Sequence, residues 1–81
     1  MDVIFYGRLA DRVGPRVHVD VPPEGCSVSD LRRLIASQYP DVSAEITGPR
    51  VRACIDDMIA GEGQPVGAAG TVEFFPPVSG G

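Results

Sequence analysis

The sequence predicts a two-layer α+β domain, a mixed β-sheet wrapped on one main helix. Three observations carry this expectation. Short segments of alternating apolar and polar residues recur along the chain, which is the period of half-buried strands. Only the segment between Ser27 and Tyr39 repeats its apolar residues at helical spacing. The 81 residues suffice for one domain, so a single helix must cover the apolar faces of all the strands.

The elements follow in order. Asp2 to Tyr6 is rich in β-branched and aromatic side chains and closes on Gly7, which predicts a strand with Val3 and Phe5 on one face and Ile4 and Tyr6 on the other. Residues 8–15 read as a loop ending in Gly14-Pro15. Val17 to Val21 alternates without a fault, a second strand stopped by Pro22-Pro23. Ser27 is a helix cap, with Asp30 three residues on as a weaker capping box. Val28, Leu31, Leu34 and Ile35 then form one apolar stripe, Arg32, Arg33 and Gln38 point elsewhere, and Tyr39-Pro40 ends the helix. Residues 41–49 show no clean period and read as loop with room for a helical turn. Val51 to Ile55 is a strand, Asp56-Asp57 a turn and Met58-Ile59-Ala60 a short strand. Gly61 to Gly70 is a turn-rich connection, and Thr71 to Phe75 is the last strand, with Val72 and Phe74 inward. Strand, strand, helix, strand, short strand, strand is the order of the ubiquitin-like β-grasp. The domain is expected over residues 1–75, with residues 76–81 as an extended, flexible end.

Composition excludes several classes of function. Eleven acidic side chains against 7 basic ones give a net charge of −4, which argues against nucleic-acid or anionic-membrane binding and favours a basic partner surface. All the basic residues are Arg, as a codon bias would produce. No apolar run approaches the ~20 residues of a membrane-spanning helix. The start Met1-Asp2-Val3-Ile4-Phe5 lacks the charged region of a secretory signal, and with two cysteines the expected compartment is the cytoplasm.

Internal chemistry is scarce. Cys26 and Cys54 form no C-x-x-C and share the chain with one His, so neither a zinc site nor a thioredoxin-type motif can be written. His18 lies on the polar face of its strand, read as solvated and without an acid–base partner nearby. Asp56-Asp57 is better explained by a turn than by a cation, and the glycine-rich stretches lack a phosphate-cradling pattern. No bound cofactor and no metal are expected.

Two features remain. Alternation puts Tyr6 and Phe75 on the outer face of the sheet, and Ile59 adds to it, so these three make a candidate docking patch. After Phe75 the chain reads Pro76-Pro77-Val78-Ser79-Gly80-Gly81, which holds four of its 18 Gly and Pro residues. The proline pair withholds two backbone donors and stiffens the exit. Fully extended, the six residues reach ~20 Å, enough to thread a channel into another protein. The last two, lacking a Cβ, let a terminal carboxylate approach a phosphate closely.

Val72 to Gly81 resembles the C-terminus of the small subunit of molybdopterin synthase, the sulfur carrier of molybdenum-cofactor biosynthesis, and the likeness extends over Val3-Ile4-Phe5-Tyr6-Gly7-Arg8-Leu9 and Val51 to Asp56. The resemblance implies that an E1-like adenylating enzyme consumes ATP to activate the carboxylate of Gly81. A sulfur donor then replaces AMP to leave a 1-thioglycine thiocarboxylate. The loaded end enters the large catalytic subunit, in a heterotetramer, and gives its sulfur to cyclic pyranopterin monophosphate. It also implies that Tyr6, Ile59 and Phe75 dock the partner and that the chain is not an enzyme by itself. Asp56 stands where the family often has Asn, and Gly67-Ala68-Ala69-Gly70 lacks the usual acidic residues. Three alternatives stay open: a carrier for another pathway such as thiamin thiazole synthesis, a protein modifier joined to lysines of its targets, and a binding module with an inert end. The thiazole carriers lack the Pro76-Pro77 pair, and the absence of Lys excludes polymerisation through the chain's own side chains.

Overall fold

The strand order decides which faces are covered, and it follows from the pairing registers. The computed structural model describes residues 1–77. Strand β1 (Asp2–Phe5) pairs antiparallel with β2 (Arg16–His18) and parallel with β7 (Thr71–Phe75). Strand β4 (Arg52–Ile55) pairs antiparallel with β7 on one side and with β5 (Met58–Ala60) on the other. The sheet therefore runs β2-β1-β7-β4-β5, and the first and last strands in sequence lie side by side at its centre. This is the ubiquitin-like β-grasp that the sequence predicts.

Helix α2 (Val28–Gln38) packs across the inner face. Val28, Leu31 and Ile35 are fully buried, Leu34 is half-buried, and they meet Val3, Phe5, Val72 and Phe74 from the strands. The Phe5 and Phe74 rings lie 6.1 Å apart. Ser27 caps the helix by accepting a hydrogen bond from the Asp30 amide at 3.0 Å. The carboxylate of Asp30 also accepts from Arg33.

Three expectations are corrected, and the helical turn allowed within residues 41–49 is present. Residues 8–15 are not loop throughout: α1 (Gly7–Val13) forms there, burying Leu9 and ending at Gly14 with φ +100°. A two-turn helix has no stability of its own, and only its packing on the rest of the fold reveals it. Strand β2 ends at His18 instead of Val21 because β1 starts at Asp2, the partner of His18, although the buried Val19 and half-buried Val21 keep the alternation. Within residues 41–49, a 3-10 turn (Pro40–Val42) leads into α3 (Ser43–Ile46), with Val42 and Ile46 buried one turn apart. Finally, β3 (Cys26–Ser27) and β6 (Pro65–Val66) make a separate two-stranded ladder. Gly25, at φ +88°, permits this close approach: a Cβ there would stand 2.3 Å from the Val66 carbonyl oxygen.

Arg32 is a further correction. Instead of pointing to solvent it is 7% exposed. Its guanidinium donates to the carbonyls of Ile46 at 2.9 Å and Val51 at 2.8 Å and lies 5.3 Å from the centre of the Phe74 ring. Its Nε stands 2.9 Å from a Glu62 carboxylate oxygen as an ion pair, without the alignment of a hydrogen bond. One cation thus ties α2 to the segment that precedes β4.

Candidate functional site

The site forms where the chain leaves β7. Alternation along β7 buries Val72 and Phe74 and leaves Glu73 and Phe75 half-covered on the outer face. Tyr6 follows β1, the parallel neighbour, and its amide donates to the Phe74 carbonyl at 3.2 Å, which brings its ring level with Phe75. The two rings stack at 4.4 Å between centres and 5° between planes. The Tyr6 hydroxyl donates to the Glu73 carboxylate, and that bond, ahead of desolvation, raises the phenol above its ordinary pKa. The same hydrogen bond anchors the Tyr6 ring beside Phe75.

Pro76 is fixed from the other side. Gly7 has φ +60°, and a Cβ on it would stand 2.8 Å from Cγ of Pro76. The left-handed backbone and the missing side chain let the proline ring seat against the start of α1. Beside this exit lies a hollow of about 240 Å³ lined by Leu9, Val51, Pro76 and Pro77, among others.

The expected docking residues are brought together only in part. Tyr6, 39% exposed, and Phe75 form the stacked pair. Ile59, 69% exposed, lies further along the outer face, in the cross-strand row Ile4, Glu73, Cys54, Ile59. The sequence reading missed Met58, 72% exposed at the sheet edge. Its position after the two-residue Asp56-Asp57 turn was the available signal: both residues have positive φ, 51° and 65°, as a tight hairpin requires. It also missed Gly7, which nothing but the contact with Pro76 singles out. The expected roles of Val78, Ser79, Gly80 and Gly81 lie outside the described residues.

The remaining chemistry is modest. Cys26 and Cys54 are free thiols on different strands. Burial, reinforced by the nearby Asp30, pushes the Cys26 thiol up and disfavours the nucleophilic thiolate. His18 is exposed, but it does have a partner: its Nε2 lies 3.3 Å from Asp20. Among the described residues no group of three or more His, Cys, Asp or Glu gathers in one place, and no helix is long and apolar enough to cross a membrane.

Comparison with known proteins agrees with this geometry. No curated protein matches the sequence. The crystal structure of SAMP1 from Haloferax volcanii superposes with a TM-score of 0.83 at 23% identity, covering 99% of this chain and 97% of that one. A Pyrococcus furiosus protein described as molybdopterin converting factor, subunit 1, gives 0.79 at 20% identity over 95% of each chain. The solution structure of the Haloferax volcanii HVO 2177 protein gives 0.78 at 19% identity, covering 99% of this chain and 84% of that one. These likenesses are of fold. The model of the ThiS family matches residues 3–81, and on that match the chain belongs to the ThiS family.

Proposed function

We propose that this chain is the sulfur-carrier subunit of a molybdopterin synthase and does no catalysis alone. Carriers of this type work with E1-like activating enzymes and catalytic partners. One observation supports the reading above all: Pro76, seated on Gly7, makes the residues that follow leave from a fixed point beside the stacked Tyr6–Phe75 pair. A fixed exit next to an apolar docking surface suits delivery of a reactive end into a partner. The Phe74-Phe75-Pro76-Pro77 segment favours the molybdopterin branch over the thiazole carriers, and the likeness to the Pyrococcus furiosus protein is in line with it.

In this reading the Gly81 carboxylate attacks the α-phosphate of ATP on the adenylating enzyme and pyrophosphate leaves. Sulfur from the donor then displaces AMP, and the thiocarboxylate, ionised at neutral pH, is the nucleophile in the large subunit. The protein itself binds no cofactor. The superposition on SAMP1, a small archaeal modifier protein, favours a second reading in which Gly81 is joined to lysines of target proteins.

Intact-mass analysis after incubation with the adenylating enzyme, ATP and a sulfur donor tests both, and it also checks that Gly81 ends the chain. A carrier gains the mass of one oxygen-to-sulfur exchange at Gly81 and, when the large catalytic subunit and cyclic pyranopterin monophosphate are added, gives that sulfur up. A modifier instead appears in adducts with lysine-containing proteins. A Gly81-deleted chain does neither, and an unmodified wild-type chain overturns the carrier reading.

A further inference from the structure

Of the seven basic residues, four are engaged by carboxylates: Arg12 by Glu45 at 3.4 Å, Arg16 by Asp2 at 3.1 Å, Arg32 by Glu62 at 2.9 Å and Arg33 by Asp30. The other three, Arg8, Arg50 and Arg52, have no carboxylate partner among the described residues, and all are exposed. Arg8 is far in sequence from Arg50 and Arg52, but all three lie at the exit of the chain. Arg8 follows Gly7, on which Pro76 sits; Arg52 stands opposite Phe75 in the β4–β7 register; Arg8 and Arg50 both line the hollow whose wall includes Pro76 and Pro77. The one carboxylate in that hollow, Glu45, is matched by Arg12. A chain of net charge −4 therefore carries a local positive collar around its exit.

We propose that Arg8, Arg50 and Arg52 form a recognition collar for an acidic rim on the protein that receives the C-terminal segment, with an apolar side chain of that partner entering the adjoining hollow. Reach dictates the contact. Val78 to Gly81 span at most ~14 Å when extended, so a partner that takes Gly81 into an active site must bring its surface over Pro77, the hollow and the three arginines. Their guanidiniums suit carboxylates, since each offers a planar fork of donors. The acidic remainder of the molecule repels such a rim, which orients the approach.

The proposal rests on the carrier reading, and the test separates the two. ATP–pyrophosphate exchange by the E1-like activating enzyme of the source organism is measured against carrier concentration at several salt concentrations. It uses the full chain, its Arg8→Ser/Arg50→Ser/Arg52→Ser variant and a Phe75→Ser variant. The triple variant is expected to melt with the wild type, because these side chains are exposed and have no carboxylate partner among the described residues. Its KM is expected to rise about tenfold or more with kcat unchanged, and its kcat/KM to lose most of its salt dependence. Phe75→Ser raises KM and leaves the salt dependence intact. A triple variant with wild-type KM, or with a raised KM and an unaltered salt dependence, overturns the collar and leaves the carrier reading standing. Absence of exchange with the wild-type chain overturns both.

Discussion

Arg32 joins three parts of the molecule through one side chain. It reaches from α2 to the end of α3 and to Val51, a wall of the hollow beside the exit. Truncating it leaves two buried carbonyls without donors, at about 1–3 kcal/mol each. We expect Arg32→Ala to destabilise the domain by about 2–4 kcal/mol, read as a lower urea midpoint at unchanged m-value. A loss below about 0.5 kcal/mol would mean that water replaces the guanidinium at both carbonyls. The sequence did not reveal this residue. It falls next to the apolar stripe of Val28, Leu31 and Ile35, and an arginine beside such a stripe normally extends its head into water. Only the arrival of Ile46 and Val51, from another part of the chain, supplies the acceptors that keep it inside. Gly7 and the exposed Arg8, Arg50 and Arg52 escaped for the same reason: each owes its place to a neighbour distant in sequence.

At the scale of elements, the strands and the main helix were legible where period and punctuation agreed. Ser27, the Val28–Ile35 stripe and Tyr39-Pro40 define α2 unaided, and the Thr71–Phe75 alternation places Val72 and Phe74 in the core. Elements of four to seven residues, α1 and α3, and the two-residue pair β3–β6 were not, because they exist through packing and not through propensity. The start of α2 makes a pH prediction. The Arg33 guanidinium, and after it the Ser27 hydroxyl, hold the Asp30 carboxyl below its ordinary range. A carboxyl with a depressed folded-state pKa adds stability above the unfolded value of ~3.9 and loses it as pH falls through the folded value. Stability from this cap is therefore constant from neutral pH to about 5 and declines below about 4. An NMR titration of the Asp30 carboxyl checks it: Arg33→Ala raises the midpoint toward the ordinary value, and an unmoved midpoint contradicts the assignment.

Among the described residues, the buried hydrophobic side chains run from Met1 to Phe74, all ahead of the proline pair. A chain ending at Pro77 is accordingly expected to unfold within about 0.5 kcal/mol of the full chain in a thermal melt, while losing all exchange with the activating enzyme. A drop of several degrees would show that the last residues contribute to the fold. The net charge of −4 pointed to a basic partner surface, yet the arginines without a carboxylate partner among the described residues, Arg8, Arg50 and Arg52, gather near the proline pair. Net charge sums over the chain; recognition responds to the field at one place.

What the sequence determined by itself was the alternation that fixes which strand faces turn inward, the cap and stripe of α2, the outward-facing positions of Tyr6 and Phe75, and the proline exit before Val78-Ser79-Gly80-Gly81. All of these depend on residues near one another in the chain, where backbone sterics and side-chain period act directly. The tertiary structure decided that β1 and β7 lie side by side, that Gly7 seats Pro76, that Arg32 turns inward, that Arg8 and Arg50 line the hollow with Pro76 and Pro77, and that Arg52 stands opposite Phe75. Those are contacts between distant parts of the chain, and they come into being only when burial of the common core brings the parts together.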